Sequence, residues 1–332
     1  MDPVTHLASG ILAGQAVRDG FLPWKRIIPF CMLAAWIPDI DNLFSLLGPG
    51  PYLLYHRGIT HSFVGGLAVA LLLALAAKAF NRSLAAWRVA AVAYGCVLAH
   101  IFLDLITNYG TQIYLPFTHA RASFPCVFII DPFFTLTLLA FGTLSFMAKP
   151  KRRFFAVVGL AWLVIYPLSN ATLRENVGSL YARKLASQGV PFDGVHVQPD
   201  AFSPLWWKII VEQGDTYRVT SVSLLPGKGM DGFKTFRKAD PALLDSLAAQ
   251  SEFVDIYRWF SRFLAMEEQA TEHGRLVIFR DLRFLVMTPA VQGLMGNGEA
   301  PFVLQVELDG QGRLMRAVFL QRGETVVFQA AN

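Results

Sequence analysis

Charge is what this sequence of 332 residues has least of: Asp, Glu, Lys and Arg together make up 16%, where a soluble domain usually carries about a quarter. A chain so short of charge is not an ordinary soluble protein over its whole length. Cysteine is nearly as scarce. Cys31, Cys96 and Cys126 are isolated and odd in number, which excludes a disulfide framework and a cysteine-based zinc motif. The first two lie inside apolar runs and are expected to pack as small hydrophobes. The second half of the chain also lacks a nucleophile elbow, a P-loop and a dinucleotide fingerprint, so the commonest motif-bearing enzyme classes are absent there.

The shortage of charge is uneven. Mean hydropathy is +0.43, and long apolar runs dominate residues 1–170, whereas residues 171–332 have the composition of a water-soluble domain. That shift is the strongest domain boundary in the sequence. Segments 63–80, 84–107, 128–148 and 154–169 are long enough, or nearly so, to cross a bilayer core of about 30 Å. Segments 4–17 and 27–47 are shorter or interrupted by polar residues. The expected architecture is an α-helical membrane domain of about six helices, followed by a soluble α+β domain. The first segment makes a poor signal peptide, because its basic residues follow it rather than precede it.

The formal net charge of +5 is read as topology rather than as nucleic-acid binding. Arg18, Lys25, Arg26, Lys78, Arg82, Arg88, Lys149, Lys151, Arg152 and Arg153 fall in or beside alternate connections, against Arg57 and Arg121 in the others. Ten against two is a positive-inside pattern. It predicts both termini outside an inner membrane, with the C-terminal domain extracytoplasmic and membrane lipids as the first partners.

Ionisable residues inside apolar segments cost about 2.5–3.5 kcal/mol each at a helix centre and are functional suspects by default. Here they fall into four compact motifs: His6-Leu-Ala-Ser-Gly10; Trp36-Ile-Pro-Asp39-Ile-Asp41-Asn42; Tyr55-His56-Arg57-Gly58-Ile-Thr60-His61; and His100-Ile-Phe-Leu-Asp104 with Thr107 and Tyr109 beyond it. His100 and Asp104 are four apart and share one helix face, which Thr107 continues. Asp39 and Asp41 follow Pro38 where a helix would loosen, and an extended step between them would align both carboxylates. Gly58 permits a tight path between His56 and His61, with Thr60 as a candidate N-cap for the next helix. Asp131 is read as a helix cap, and His119, His196 and His273 have no partner in spacing.

Imidazole and carboxylate donors in this mixture suit zinc, with manganese as the alternative. The predicted ligands to one or two ions are His6, Asp39, His56, His61, His100 and Asp104. Asp41 is left to bridge metals, orient a histidine or act as general base. Arg57 offers a planar fork to an anionic group, and Thr60 or Tyr109 a hydrogen bond. The motif series as a whole resembles the YdjM-type family of inner-membrane metal-dependent hydrolases over roughly residues 1–170. That resemblance implies a metal-dependent hydrolase without naming its substrate. A site at membrane depth beside an arginine suggests a lipid or lipid-linked phosphoester. A metal or ion transporter, and a non-enzymatic sensor or scaffold, are the other readings the residues leave open.

In the second half, segments 206–211, 217–225, 275–279, 284–287, 302–308 and 314–321 read as strands, and 241–250 and 254–268 as helices, the first capped by Asp240. Trp206, Trp207, Tyr257 and Trp259 are expected mainly in the core. An accessory role is expected for this domain.

Overall fold

The structure is a computed structural model that describes residues 1–18, 21–225, 232–272, 274–289, 291, 301–321 and 324–329. Helix α1 (Pro3–Val17) opens with proline and the N-cap Asp2, whose carboxylate accepts from the Thr5 amide. Helix α2 (Ile27–Trp36) runs directly into a 3-10 helix, Ile37–Leu47. Helix α3 (Pro49–Tyr55) and a short 3-10 turn, Ile59–His61, lead to α4 (Phe63–Phe80), α5 (Ala86–Leu105), α6 (Pro132–Met147) and α7 (Arg152–Ser187). Four stretches, Ile27–Leu47, Phe63–Phe80, Ala86–Leu105 and Lys149–Ser187, are long and apolar enough to cross a membrane, and α6 is a shorter apolar helix. On α4 the small residues Ala70, Ala74 and Ala77 are buried while Leu72, Leu75 and Phe80 are exposed. Small residues inward and large apolar ones outward is how helices pack when lipid surrounds them.

Contacts divide the chain into two compact units, Met1–Leu43 with Tyr55–Leu173, and Phe44–Leu54 with Arg174–Asn332. In the first unit, α2, α4 and α5 enclose one apolar cluster that includes Cys31 and Cys96, and α1, α6 and α7 another that includes Cys126. All three cysteines are buried, and none is in a disulfide. Helices α1 and α2 meet closely at Gly10, where a Cβ would come within 2.7 Å of the Cys31 carbonyl oxygen and the Met32 Cα. Asp131 caps α6 by accepting from the Phe134 amide and also receives the Tyr166 hydroxyl at 2.8 Å, in keeping with its structural reading.

Among its described residues, the second unit holds nine antiparallel strands in simple sequential order: β1 (Gly194–Pro199), β2 (Trp206–Gln213), β3 (Thr216–Ser223), β4 (Lys234–Lys238), β5 (Leu264–Thr271), β6 (Gly274–Asp281), β7 (Val303–Asp309), β8 (Leu314–Gln321) and β9 (Glu324–Gln329). Helices α8 (Pro241–Ala248) and α9 (Glu252–Phe260) lie between β4 and β5, and Asp240 caps α8. Trp207 and Tyr257 are fully buried, Trp206 and Trp259 partly so. At the centre of β2, the buried Lys208 ammonium donates to the carbonyls of Leu282, Arg283 and Leu285 at 2.7, 2.8 and 2.7 Å.

Several expectations are corrected here. The apolar segment 154–169 belongs to a helix that continues to Ser187. The helix runs on through Pro167 and the change of composition near Asn170, and stops only before Gly189, whose φ of 67° lies in the left-handed region. Segment 254–268 is helical only to Phe260. Its remainder, rich in helix formers, becomes β5 because it pairs with β6 from Leu264 opposite Asp281 to Thr271 opposite Gly274. Segment 284–287 is not a strand: the Leu285 carbonyl is taken by Lys208, and the Met287 amide donates to Asp200 at 2.8 Å. Strands β1, β4, β5 and β9 are additions to the sequence reading.

Candidate metal centre

Four elements of the first unit converge on one buried point. Helix α5 supplies His100 and Asp104 on one face, both fully buried. The 3-10 helix supplies Asp39, α1 supplies His6, and the loop before α4 supplies His56 and His61. The step from Asp39 to Asp41 is 3-10 rather than extended, so the two carboxylates serve different neighbours. Asp39 Oδ1 lies 3.7 Å from Nε2 of both His61 and His100.

Asp41 stands behind the imidazoles. Its Oδ1 accepts from His56 Nδ1 at 2.8 Å, and its Oδ2 from the Arg57 amide, the Thr60 hydroxyl and His61 Nδ1 at 3.0, 2.9 and 2.9 Å. Thr60 is therefore a donor to Asp41. The N-cap of α4 is Ser62, whose hydroxyl accepts from the Gly65 amide at 2.9 Å. Gly58 is required where it stands, because a Cβ would lie 2.5 Å from the Tyr55 carbonyl oxygen. The left-handed residue of this turn is its neighbour Arg57, with φ of 57°.

The ring nitrogens can be assigned from their partners. His100 Nδ1 faces the Ala35 carbonyl oxygen at 2.7 Å, which can only accept, so that nitrogen carries the hydrogen. His61 Nδ1 faces a carboxylate, with the same consequence. Both Nε2 lone pairs then point at each other across 2.9 Å, with Asp104 Oδ2 at 3.1 Å from one and 3.5 Å from the other. Two lone pairs and two carboxylates at this range repel unless a cation lies among them. Tetrahedral zinc with bonds of about 2.0–2.1 Å sets its donors roughly 3.3 Å apart, within the 2.9–3.7 Å spread seen here. Asp39, His61, His100 and Asp104 thus form a buried group that can hold a metal ion, and Asp39, Asp41 and His56 form a second.

His6 adds to this fit. Its ring stacks on His100 with centroids 3.8 Å apart, its Nε2 is 3.4 Å from Asp104 Oδ1, and neither ring nitrogen has a hydrogen-bond partner although both are buried. Burial opposes a charge on His61, but the Asp104, Asp39 and Asp41 carboxylates outweigh it and raise the imidazole to about 10. The surrounding carboxylates thus favour a positive charge at this point.

Arg57 is buried and pairs with Asp104: its guanidinium lies 2.9 Å from Asp104 Oδ1 and donates to the Asp104 carbonyl at 3.1 Å and to Thr107 Oγ1 at 2.9 Å. The Met1 nitrogen also contacts Asp104. Tyr109 packs its ring against His56, centroids 5.3 Å apart. Elsewhere, His119 is exposed, His196 bonds Glu212 at 2.8 Å, and His273 lies outside the described residues. Sequence reasoning missed the Ala35 carbonyl, since a backbone acceptor leaves no mark in residue type, and it gave Arg121 no role beyond topology.

Comparison with known proteins agrees with this picture in its coarse features. A family model described as YdjM inner membrane protein matches residues 1–177. The Bacillus subtilis (strain 168) protein YfhP, described as uncharacterized, is 30% identical over 151 residues, 42% of this chain and 45% of that protein. The chain therefore matches less than half the length of this relative. No solved structure matches.

Proposed function

This chain belongs to the YdjM inner membrane protein family, and from that membership and the buried His/Asp centre we propose that it is a zinc-dependent hydrolase of a lipid or lipid-linked phosphoester. The observation that carries the reading is the pair of imidazoles fixed by Ala35 and Asp41, so that both Nε2 atoms face the Asp39 and Asp104 carboxylates. That donor mixture favours zinc over a hard cation. When bound, the ion would supply Lewis-acid polarisation of the scissile group and lower the pKa of water at the site.

The protein's own residues have distinct tasks in this scheme. Asp39, His61, His100 and Asp104 hold the ion, with His6 as a further donor beside Asp104. Asp41 fixes the tautomer of His61 and of His56, and Thr60 in turn fixes Asp41. Arg57 balances and orients Asp104 rather than meeting the substrate. Asp39, Asp41 and His56 would accommodate a second ion, with Asp39 common to both groups. Charge placement supports six crossings with the C-terminal domain extracytoplasmic, where it would capture substrate or regulate access.

The test is hydrolysis of a panel of glycerophospholipids and polyprenyl phosphates by the zinc-loaded protein in nanodiscs, read by mass spectrometry. Turnover is expected, and a chelator should abolish it. Asp41→Asn is expected to weaken zinc binding about 10–100-fold, with excess zinc restoring most of the turnover. No hydrolysis of any panel member by protein carrying stoichiometric zinc would overturn the reading. A pH dependence follows as well. Because the surrounding carboxylates raise the His61 imidazole, to about 10, protons would compete with zinc for this donor, so affinity should fall as the pH drops, by up to about tenfold per pH unit. Competition with a zinc indicator at pH 6, 7 and 8 measures the slope.

A further inference from the structure

Helix α5 carries His100 and Asp104 near its C-terminal end and a different cluster at its start. Arg88 stands in its first turn, about 18 Å along the helix from His100. There the connection before α2 meets the connection before α5. Leu22, Ala77, Leu84 and Val89 are buried in one apolar cluster, with Trp24 packed against it, so both connections close the same end of the bundle. The Arg88 guanidinium stands 5.6 Å from the Phe21 ring centroid and 5.4 Å from the Trp87 ring centroid, within the range of cation–π attraction. The two rings meet edge to face at 5.6 Å. Arg88 Nη1 donates to the Phe21 carbonyl at 3.2 Å. Each of the three residues therefore touches the other two.

This cluster fixes a guanidinium and leaves much of its bonding capacity unused. Among the described residues its hydrogen-bond acceptor is the Phe21 carbonyl, no carboxylate pairs with it, and Nε is buried without a partner. Phe21 and Trp87 are both exposed, as are Lys25, Arg26 and Arg82 on the same two connections. Exposed aromatic rings beside cations at the end of a membrane bundle are the composition of a surface at headgroup level, where Lys and Arg attract anionic lipid. Orientation of the chain in the membrane does not by itself require the cluster. Arg82 supplies the same charge from an exposed position and, among the described residues, without a ring or carbonyl contact.

We propose that Arg88, with Phe21 and Trp87, forms a binding site for the phosphate of an anionic phospholipid at the end of α5 away from the metal centre. A guanidinium suits this task because its planar fork matches two phosphate oxygens at once. The two rings hold the plane of that fork, and the basic residues of both connections raise the local concentration of anionic lipid. A headgroup bound here would touch both connections and so clasp α1 and α2 to α4 and α5. The site is independent of the metal and of any hydrolysis.

The test uses the full chain in neutral detergent micelles, as wild type, Arg88→Gln, Arg88→Lys, Trp87→Leu and Arg82→Gln, with bound lipid counted by mass spectrometry of the intact complex. Phosphatidylglycerol, phosphatidylcholine and inorganic phosphate are titrated separately, with and without zinc. Wild type should prefer phosphatidylglycerol to phosphatidylcholine by about tenfold, to the same degree in both zinc states. Arg88→Gln should abolish the preference. Arg88→Lys, which keeps the charge and loses the fork, should weaken phosphatidylglycerol binding about threefold, and Trp87→Leu by about as much. Arg82→Gln, which removes an exposed charge from the same connection, should stay within about twofold of wild type. Equal affinity for the two lipids, or equal losses in Arg88→Gln and Arg82→Gln, would overturn the site and leave only a general attraction to positive charge. Binding of inorganic phosphate without a preference between the lipids would overturn the lipid assignment. If Arg88→Gln fails to fold, Arg88→Lys against Arg82→Gln decides the question. A site that depends on the fork loses affinity in the first and keeps it in the second, and any other pattern sinks it.

Discussion

Replacing His61 or His100 by alanine is expected to remove the metal from the purified protein and to take turnover below detection. Each substitution deletes one of two Nε2 donors that face the same pair of carboxylates, and it leaves those carboxylates crowded with less positive charge near them. The loss in affinity should exceed the roughly 10–100-fold that follows when a residue merely supporting a ligand is changed. Elemental mass spectrometry of detergent-purified wild type and variants measures it, with size-exclusion behaviour as the check on folding. Full metal content in both variants would remove His61 and His100 from the ligand set. The conservative partner experiment is Arg57→Lys, which keeps the charge beside Asp104 but loses the fork that also reaches Thr107, and which should retain metal.

Lys208→Met is expected to destabilise the C-terminal unit by about 3–5 kcal/mol, the range seen when one partner of a buried charged network is removed. Lys208 is 1% exposed, and its ammonium serves three carbonyls of residues 282–285, which lie outside the strands. Methionine fills the same volume and supplies no donor, so those carbonyls lose their partner in a place water does not reach. Thermal unfolding of the full chain, followed by near-ultraviolet dichroism of its tryptophans, should show a transition lowered by roughly 10 °C, at about 2–4 °C per kcal/mol for a unit of this size. Metal content should not change. A loss below about 1 kcal/mol would mean that the segment satisfies its carbonyls in another way.

The sequence discloses much of the membrane half because its chemistry contradicts its surroundings. His6, Asp39, His61, His100 and Asp104 stand out in apolar runs where such residues are costly, and the structure gathers all of them. Roles were harder to read than membership. Asp39 and Asp41 look alike in sequence, yet the 3-10 path turns one toward the Nε2 atoms and the other toward the Nδ1 atoms. Arg57 looked like a substrate contact until its partners, Asp104 and Thr107, came from 47 and 50 residues away. In the second half, local propensity misled at residues 264–268, where Met266, Glu267 and Glu268 favour a helix in isolation and a neighbouring strand decides otherwise. The chain signals most clearly what it cannot afford to expose or to bury alone, and it is nearly silent about which of two equivalent groups takes which task.

The four donors of the main group stand at positions 39, 61, 100 and 104, on three elements that other helices separate along the chain. None of them can bind usefully until those helices have met. A cation at this point is therefore a cross-link between distant stretches of chain, and its binding energy is also energy of assembly for the bundle. The membrane unit would then come in two grades of rigidity, one before the ion arrives and one after. Metal supply in the cell would govern how well the protein is held together as well as whether it works.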